Sequence, residues 1–308
     1  MALSTAATLL ALASCSHYSE FDAREDDCLR DGYTTGVDFS FKVKRGFSSL
    51  DSLELAERGF TRADMANLRY RYQMYVIPEG DSVPVEYYSG VDDRCALKLP
   101  VGHYRAVSWA DIVPADSVAD WHYLTNEPRE MMLRYKAQYT GGDGNKLCWS
   151  SVTPFTVSYR TPAVSLPMTP HMGSFEIRAT DKPDFKVGRI RVSYPAGVPA
   201  AVDVFRQKVS YVWGGVEFLS SSVSPVVASD YVLAEDELTT LPVKITVYDE
   251  YGTIRARRWP VNIALQRGRH DVVSTHVFDV IDPDGSEYSD APGIGIDDQF
   301  DETIDIVL

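Results

Sequence analysis

Strict two-residue alternation of apolar and polar side chains recurs along this chain, and few folds other than a β-rich one accommodate it. Val37, Phe39, Phe41 and Val43 alternate with Asp38, Ser40 and Lys42. Successive side chains of a strand point to opposite faces, so such a segment buries one face and wets the other. Leu68, Tyr70, Tyr72, Met74 and Val76 repeat the pattern, with Arg69, Arg71 and Gln73 expected to face solvent. Ala96 to Leu99 runs into Pro100-Val101-Gly102, a turn signal, and His103 to Trp109 is expected to return as the next strand. Val152 to Tyr159 reads as another strand.

The second half behaves alike. Ser174 to Thr180 alternates around Phe175, Ile177 and Ala179, and Ile190, Val192 and Tyr194 follow. Val243, Ile245 and Val247 lead into Asp249-Glu250-Tyr251-Gly252, a hairpin-type loop, and Val261, Ile263 and Leu265 return. Arg267 to Asp271 makes the next turn, and Val272 to Phe278 follows as a strand. Ser48 to Asn67 and Glu127 to Tyr135 are the two stretches compatible with short helices. The expected class is all-β, with two sandwiches in series and a boundary at a proline-rich break near Thr161-Pro162. The segments are then residues 36–160 and 161–280 for the two folded halves, with 281–308 as a tail. No residue-level repeat relates the halves.

The N-terminus carries a different signal. Ala2 to Ser14 is uncharged, rich in Leu and Ala, and ends in Leu12-Ala13-Ser14-Cys15. It is too short for a spanning helix and fits a signal-peptide core over residues 1–15. An apolar residue, two small residues and Cys match a bacterial lipobox. Small residues admit the peptidase, and the Cys15 thiol is the nucleophile that accepts a diacylglyceryl group. One departure is that no Lys or Arg precedes Arg24. Residues 16–35 are acidic and poor in aliphatics, as expected of a solvated tether. With Cys15 acylated, Cys28, Cys95 and Cys148 remain. A disulfide between Cys95 and Cys148 and three reduced thiols are both compatible with the sequence.

Charge narrows the partners. The formal net charge of the 308 residues is -14. Ten acids and no Lys or Arg lie between Asp279 and Leu308, so the tail carries most of it. A nucleic-acid binder would show a basic stripe, which this sequence lacks. The six histidines include no H-E-x-x-H pair, and there is no G-x-S-x-G and no phosphate-binding glycine loop. Gly141 to Lys146 is glycine-rich but reads as a loop ahead of the Trp149 strand. Asp282-Pro283-Asp284-Gly285 resembles the start of a calcium loop, yet its twelfth position is Gly293 rather than Glu. The expectation is a non-enzyme without metal, cofactor or small-molecule substrate.

The C-terminal segment has the cleanest alternation. Ile294, Ile296, Phe300, Ile304, Ile306 and Leu308 occupy one face, after breaks at Pro283-Asp284-Gly285 and Pro292-Gly293. Such a strand completes a sheet of its own chain or is donated to a neighbour's sheet. Either way its apolar face needs cover.

Taken together, Cys15 and its tether, Val37 to Val43, Leu97 to Tyr104, Val261 to Val273 and Gly293 to Ile306 resemble the fimbrillin superfamily of Bacteroidota. Within it they look closest to the fimbrial anchor and accessory lipoproteins of type V pili. The resemblance implies two transthyretin-like Greek-key sandwiches, attachment to the cell outer membrane through Cys15, and joining of other fimbrial subunits by β-strand complementation. It also implies that an anchor keeping its lipid escapes cleavage after Arg30 or Arg45. The competing expectation is a surface glycan-binding lipoprotein, in which some of Trp109, Trp121, Trp149, Trp213 and Trp259 form a stacking platform; Trp in sandwich strands is otherwise core.

Overall fold

In the computed structural model the described residues are 34–44, 48–49, 67–127, 129–134, 139–158, 163–220 and 225–282. The first half contributes β1 (Thr34–Val43), β2 (Ser48–Ser49), β3 (Leu68–Pro78), β4 (Glu86–Gly90), β5 (Arg94–Pro100), β6 (Gly102–Pro114), β7 (Tyr123–Glu127), β8 (Glu130–Leu133) and β9 (Trp149–Val157). The second contributes β10 (Val164–Pro170), β11 (Met172–Ala179), β12 (Val187–Tyr194), β13 (Val198–Asp203), β14 (Lys208–Trp213) and β15 (Val216–Ser220). It ends with β16 (Val226–Leu233), β17 (Thr239–Asp249), β18 (Ile254–Leu265) and β19 (Arg269–Thr275). A single 3-10 turn spans Gly144–Lys146 among the described residues. The protein is nearly all β, as the alternation requires.

Four sheets form among these residues. The largest runs β4-β3-β6-β9-β10-β1-β5. Its hinge is β10, whose Val164 to Met168 pairs in parallel with β1 while Thr169 and Pro170 pair with β9. The expected boundary near residue 161 therefore falls between β9 and β10, which are hydrogen-bonded neighbours. Two four-stranded sheets, β16-β11-β19-β2 and β15-β12-β17-β18, make up most of the second half. A small sheet, β14-β13-β8-β7, joins the halves, with Ala201 opposite Met132 and Asp203 opposite Glu130. The buried apolar residues of all four sheets belong to one continuous core.

Most alternation reads as expected. Val37, Phe39 and Phe41 are 0%, 1% and 3% exposed. Phe41 stacks on Tyr72, and Phe39 meets Phe155 edge-on, the preferred geometries for ring pairs. The loop after β17 is the expected hairpin. Asp249 accepts the backbone N–H groups of Tyr251 and Thr253 through Oδ1, and Gly252 takes a φ of 83°, open to glycine without strain.

Three expectations need correction. Arg71 and Gln73 are buried, not solvent-facing. The segment after β6 covers that face of β3, and Arg71 survives there because its charge is matched. Its Nε and Nη2 donate to both oxygens of Asp111 at 2.9 and 2.5 Å, and Nη1 donates to Asp120 at 2.7 Å. Second, β5 and β6 do not pair. β5 pairs with β1, while β6 lies between β3 and β9, so Pro100 to Gly102 carries the chain to a non-adjacent strand of the same sheet rather than round a hairpin. Tyr104 secures that corner by donating its hydroxyl to the Pro100 carbonyl at 3.0 Å. Third, within the stretch 127–135 the described residues Glu130–Leu133 form strand β8. Tyr123 opposes Leu133, and Leu124 opposes Met132. The other helix-compatible stretch, 48–67, lies outside the described residues except at its ends, where Ser48 and Ser49 form β2 beside β19.

Candidate functional site

The residues singled out by sequence, Cys15 and the strand Ile294, Ile296, Phe300, Ile304, Ile306 and Leu308, lie outside the described residues, as does Cys28. Cys95 and Cys148 are free thiols, Cys95 half-buried and Cys148 fully buried. Burial pushes the Cys95 thiol up to about 11 and Cys148 higher still, so both are poor nucleophiles at neutral pH.

The most exposed apolar feature of the large sheet lies along its β4 edge. Val83, Val85 and Tyr87 are 63%, 50% and 46% exposed. Tyr87 lies on β4 itself, and Val83 and Val85 lie in the turn that leads into it. Val85 continues the ladder by donating its N–H to the Val76 carbonyl at 2.8 Å, and Tyr87 stacks on Tyr75. β4 is the terminal strand of its sheet among the described residues. An open backbone edge beside an apolar row is what another chain covers.

A buried polar hub sits where the halves meet. Asp230 on β16 accepts from Lys146 Nζ at 2.5 Å, the Gly142 N–H at 3.1 Å and the Tyr231 N–H at 2.7 Å through Oδ1. Its Oδ2 accepts the hydroxyls of Tyr139 and Tyr194 at 2.7 and 2.6 Å. Burial and then the Asp230 charge raise both phenols well above their ordinary range, so they stay protonated and donate. Lys146 Nζ also lies 4.0 Å from the centre of the Tyr139 ring. The glycine-rich loop exists for this contact. Gly142 has a φ of 69°, and a Cβ on Gly141 would lie 1.9 Å from the Phe218 ring. The sequence reading treated Gly141 to Lys146 only as a loop. The missed signal was a tyrosine and a lysine bracketing two glycines.

Above the hub opens a cavity of about 300 Å³, lined by Trp121, His122, Arg134, Tyr139, Asp143 and Trp213 among others. Trp109 and Trp149 are core, each 1% exposed, whereas Trp121 and Trp259 are half-buried. The structure thus brings Trp121 and Trp213 together and leaves the other three indoles apart from them.

Two clusters have a catalytic or metal-like appearance and structural chemistry. Ser150 Oγ lies 2.6 Å from His171 Nδ1, both buried. The serine proton goes to Gln207 Oε1 at 2.8 Å, since the Gln207 amide nitrogen is committed to the Val204 carbonyl. His171 Nδ1 must therefore carry its own proton and donate, the reverse of a base activating a nucleophile. Arg267 completes the knot with bonds to the Ser150 carbonyl at 2.7 Å, to Thr169 at 2.9 Å and to Gln207. The carboxylate of Asp181 and the side chains of His276 and Asp279 place their ligand atoms within 4.8 Å of one another. Burial alone raises the Asp181 carboxyl, but the backbone N–H groups of Val277, Phe278 and Asp279 outweigh it and hold it below the usual range. Those bonds fasten the chain after β19. Asp282 likewise fastens the chain, accepting the Trp259 N–H at 2.9 Å.

Burial and the Arg267 guanidinium depress His171 well below its ordinary value. A histidine neutral in the folded state and titratable in the unfolded chain leaves full stability above the unfolded pKa. That stability drains as pH falls below about 6.5, at up to about 1.4 kcal/mol per pH unit. Urea unfolding from pH 7.5 to 5 should show this slope, and His171→Gln should flatten it. An unchanged slope in the variant would mean that His171 is not the group responsible.

The DUF6562 family, described as a family of unknown function, matches residues 34–308. Among curated proteins none matches the chain. Among solved structures it is similar to a candidate cell adhesion protein from Bacteroides eggerthii DSM 20697. The identity is 12% over 80% of this chain and 88% of that one, with a TM-score of 0.48. It is also similar to the fimbrial anchor protein Mfa2 from Porphyromonas gingivalis, at 11% identity over 73% and 82% of the two chains, with a TM-score of 0.39. The tip fimbrial protein Mfa3 of the same organism, with a C-terminal truncation, gives 9% identity over 75% and 81%, with a TM-score of 0.41.

Proposed function

The chain belongs to the DUF6562 family, whose function is unknown, and from that premise we propose that it is a fimbrial or adhesin-like protein of the cell envelope. The observation that carries the reading is the β4 edge, where Tyr87 on the sheet-terminal strand and Val83 and Val85 in the turn before it leave apolar side chains exposed. A surface of this kind favours attachment to another protein by strand addition or face-to-face cover. The finer form of the proposal is an outer-membrane lipoprotein held through Cys15. In it the body consists of two Greek-key sandwiches, and residues 293–308 pass to a neighbouring fimbrial subunit. The protein performs no chemistry in this role, and its partners are other subunits and, through acyl chains, the membrane. Each buried CH₂ of an acyl chain contributes about 0.8 kcal/mol, so two or three chains hold the protein durably.

Lipid attachment is tested by metabolic labelling with palmitate in a host that processes bacterial lipoproteins. The wild-type chain should take up label and fractionate with membranes, and Cys15→Ala should lose both properties. A wild-type protein without label, free in the soluble fraction, would remove the anchor from the proposal.

A further inference from the structure

We infer that the cavity between the two halves is a binding site for one neutral pyranose unit of a glycan. This inference stands apart from the fimbrial proposal, because it uses neither Cys15 nor residues 293–308.

The cavity is built from both halves. Trp121 and His122 precede β7, Arg134 follows β8, Tyr139 and Asp143 belong to the loop over the hub, and Trp213 ends β14. Its volume of about 300 Å³ is at the small end of ligand sites and suits a single six-membered ring with its hydroxyls. Two indoles and a phenol supply flat apolar faces, which the C–H face of a pyranose can cover while its hydroxyl rim seeks polar partners. Trp121 is half-buried and so retains an accessible face, whereas Trp213 is 9% exposed and forms wall.

The polar groups favour a neutral ligand. Lys146 is neutralised by Asp230 at 2.5 Å, and the lining carries one acid, Asp143, beside Arg134, whose Nη1 donates to the Asp120 carbonyl at 2.7 Å. Burial is the main cause lowering His122 below its ordinary value, with Lys146 adding to it and Asp143 opposing, so its ring is uncharged at neutral pH. His122 Nε2 is buried without a protein partner. A buried nitrogen left unpaired is costly, and a small turn of the His122 ring toward the cavity it lines would let a sugar hydroxyl satisfy it as donor or acceptor. With Arg134 balanced in number by Asp143 and Lys146 paired with Asp230, the lining has no net positive charge to favour an anion. The site also needs little reorganisation. Asp143 Oδ1 accepts the Asn145 N–H at 2.9 Å, and Lys146 Nζ donates to the Thr140 carbonyl at 2.9 Å, so the loop is fixed before any ligand arrives.

The test uses the full chain, tryptophan fluorescence and a panel of neutral hexoses, N-acetylhexosamines and sialic acid. At least one neutral sugar should give saturable quenching with a dissociation constant on the order of 1 mM, the range of a one-ring site with few polar contacts. Trp121→Ala should weaken binding at least tenfold. Thr140→Trp, which places a bulky ring at an exposed position on the rim, should block it with an unchanged melting temperature. Trp259→Ala, remote from the cavity lining, should leave binding intact. Absence of saturable binding by every neutral sugar would overturn the inference, as would binding of sialic acid alone or full retention of binding in Thr140→Trp.

Discussion

Asp230→Ala is expected to remove about 3–5 kcal/mol of folding stability, because it strands a buried cation and four further donors at once. Lys146 is buried, its side chain being 5% exposed. Its remaining bond, to the Thr140 carbonyl, cannot neutralise the charge. Tyr139 and Tyr194 would keep their protons but lose their acceptor. The effect should exceed that of truncating a core valine, and chemical denaturation followed by circular dichroism measures it directly. A second variant separates charge from packing. In a Lys146→Met background the cation is gone, so Asp230→Ala should cost at least about 1 kcal/mol less than in the wild type. Equal costs in the two backgrounds would show that the pair is not coupled. A cost below about 1 kcal/mol for Asp230→Ala alone would place the carboxylate in water.

Why sequence reading missed this hub is instructive. Period-two alternation reports which face of a strand is apolar, and it placed Val37, Phe39 and Phe41 correctly. It assumes, however, that the polar face is wet. For β3 and β16 that fails, because each has a second covering layer, and the polar side chains there are matched instead of solvated. Arg71 meets Asp111 and Asp120, and Asp230 meets Lys146, across 40 or more residues of sequence. Only the tertiary arrangement brings such partners together. The same limit applies to connectivity. Pro100 to Gly102 carries a turn signal, yet turn chemistry does not say whether the chain returns beside the strand it left or pairs elsewhere in the sheet. The pairing of β8 with β13 has no local signature at all, and it is the link that brings Trp121 near Trp213. By contrast, the Asp249 to Gly252 hairpin was legible because its capping carboxylate and positive-φ glycine act within four residues.

The alternating C-terminal segment makes the largest functional prediction. Ile296→Ser together with Ile304→Ser should abolish capture of a partner subunit while leaving the body folded. Both positions belong to the alternating apolar set of Ile294, Phe300, Ile306 and Leu308 in the sequence. Fully burying an isoleucine is worth about 1.5–3 kcal/mol, so two losses weaken a strand-addition complex by at least about a hundredfold. Backbone pairing alone does not compensate, because the main-chain groups already bond to water in the free segment. Replacing Asp297 and Thr303, on the opposite face, by serine should change affinity little, since those side chains remain wet in either state. The measurement is co-purification of partner subunits with a tagged chain, alongside thermal unfolding of each variant. Unchanged capture in the isoleucine variant would exclude donation. Lost capture with an equally large fall in melting temperature would instead assign the strand to this chain's own sheet, because a self-completing strand contributes its burial to folding and a donated one contributes it to assembly.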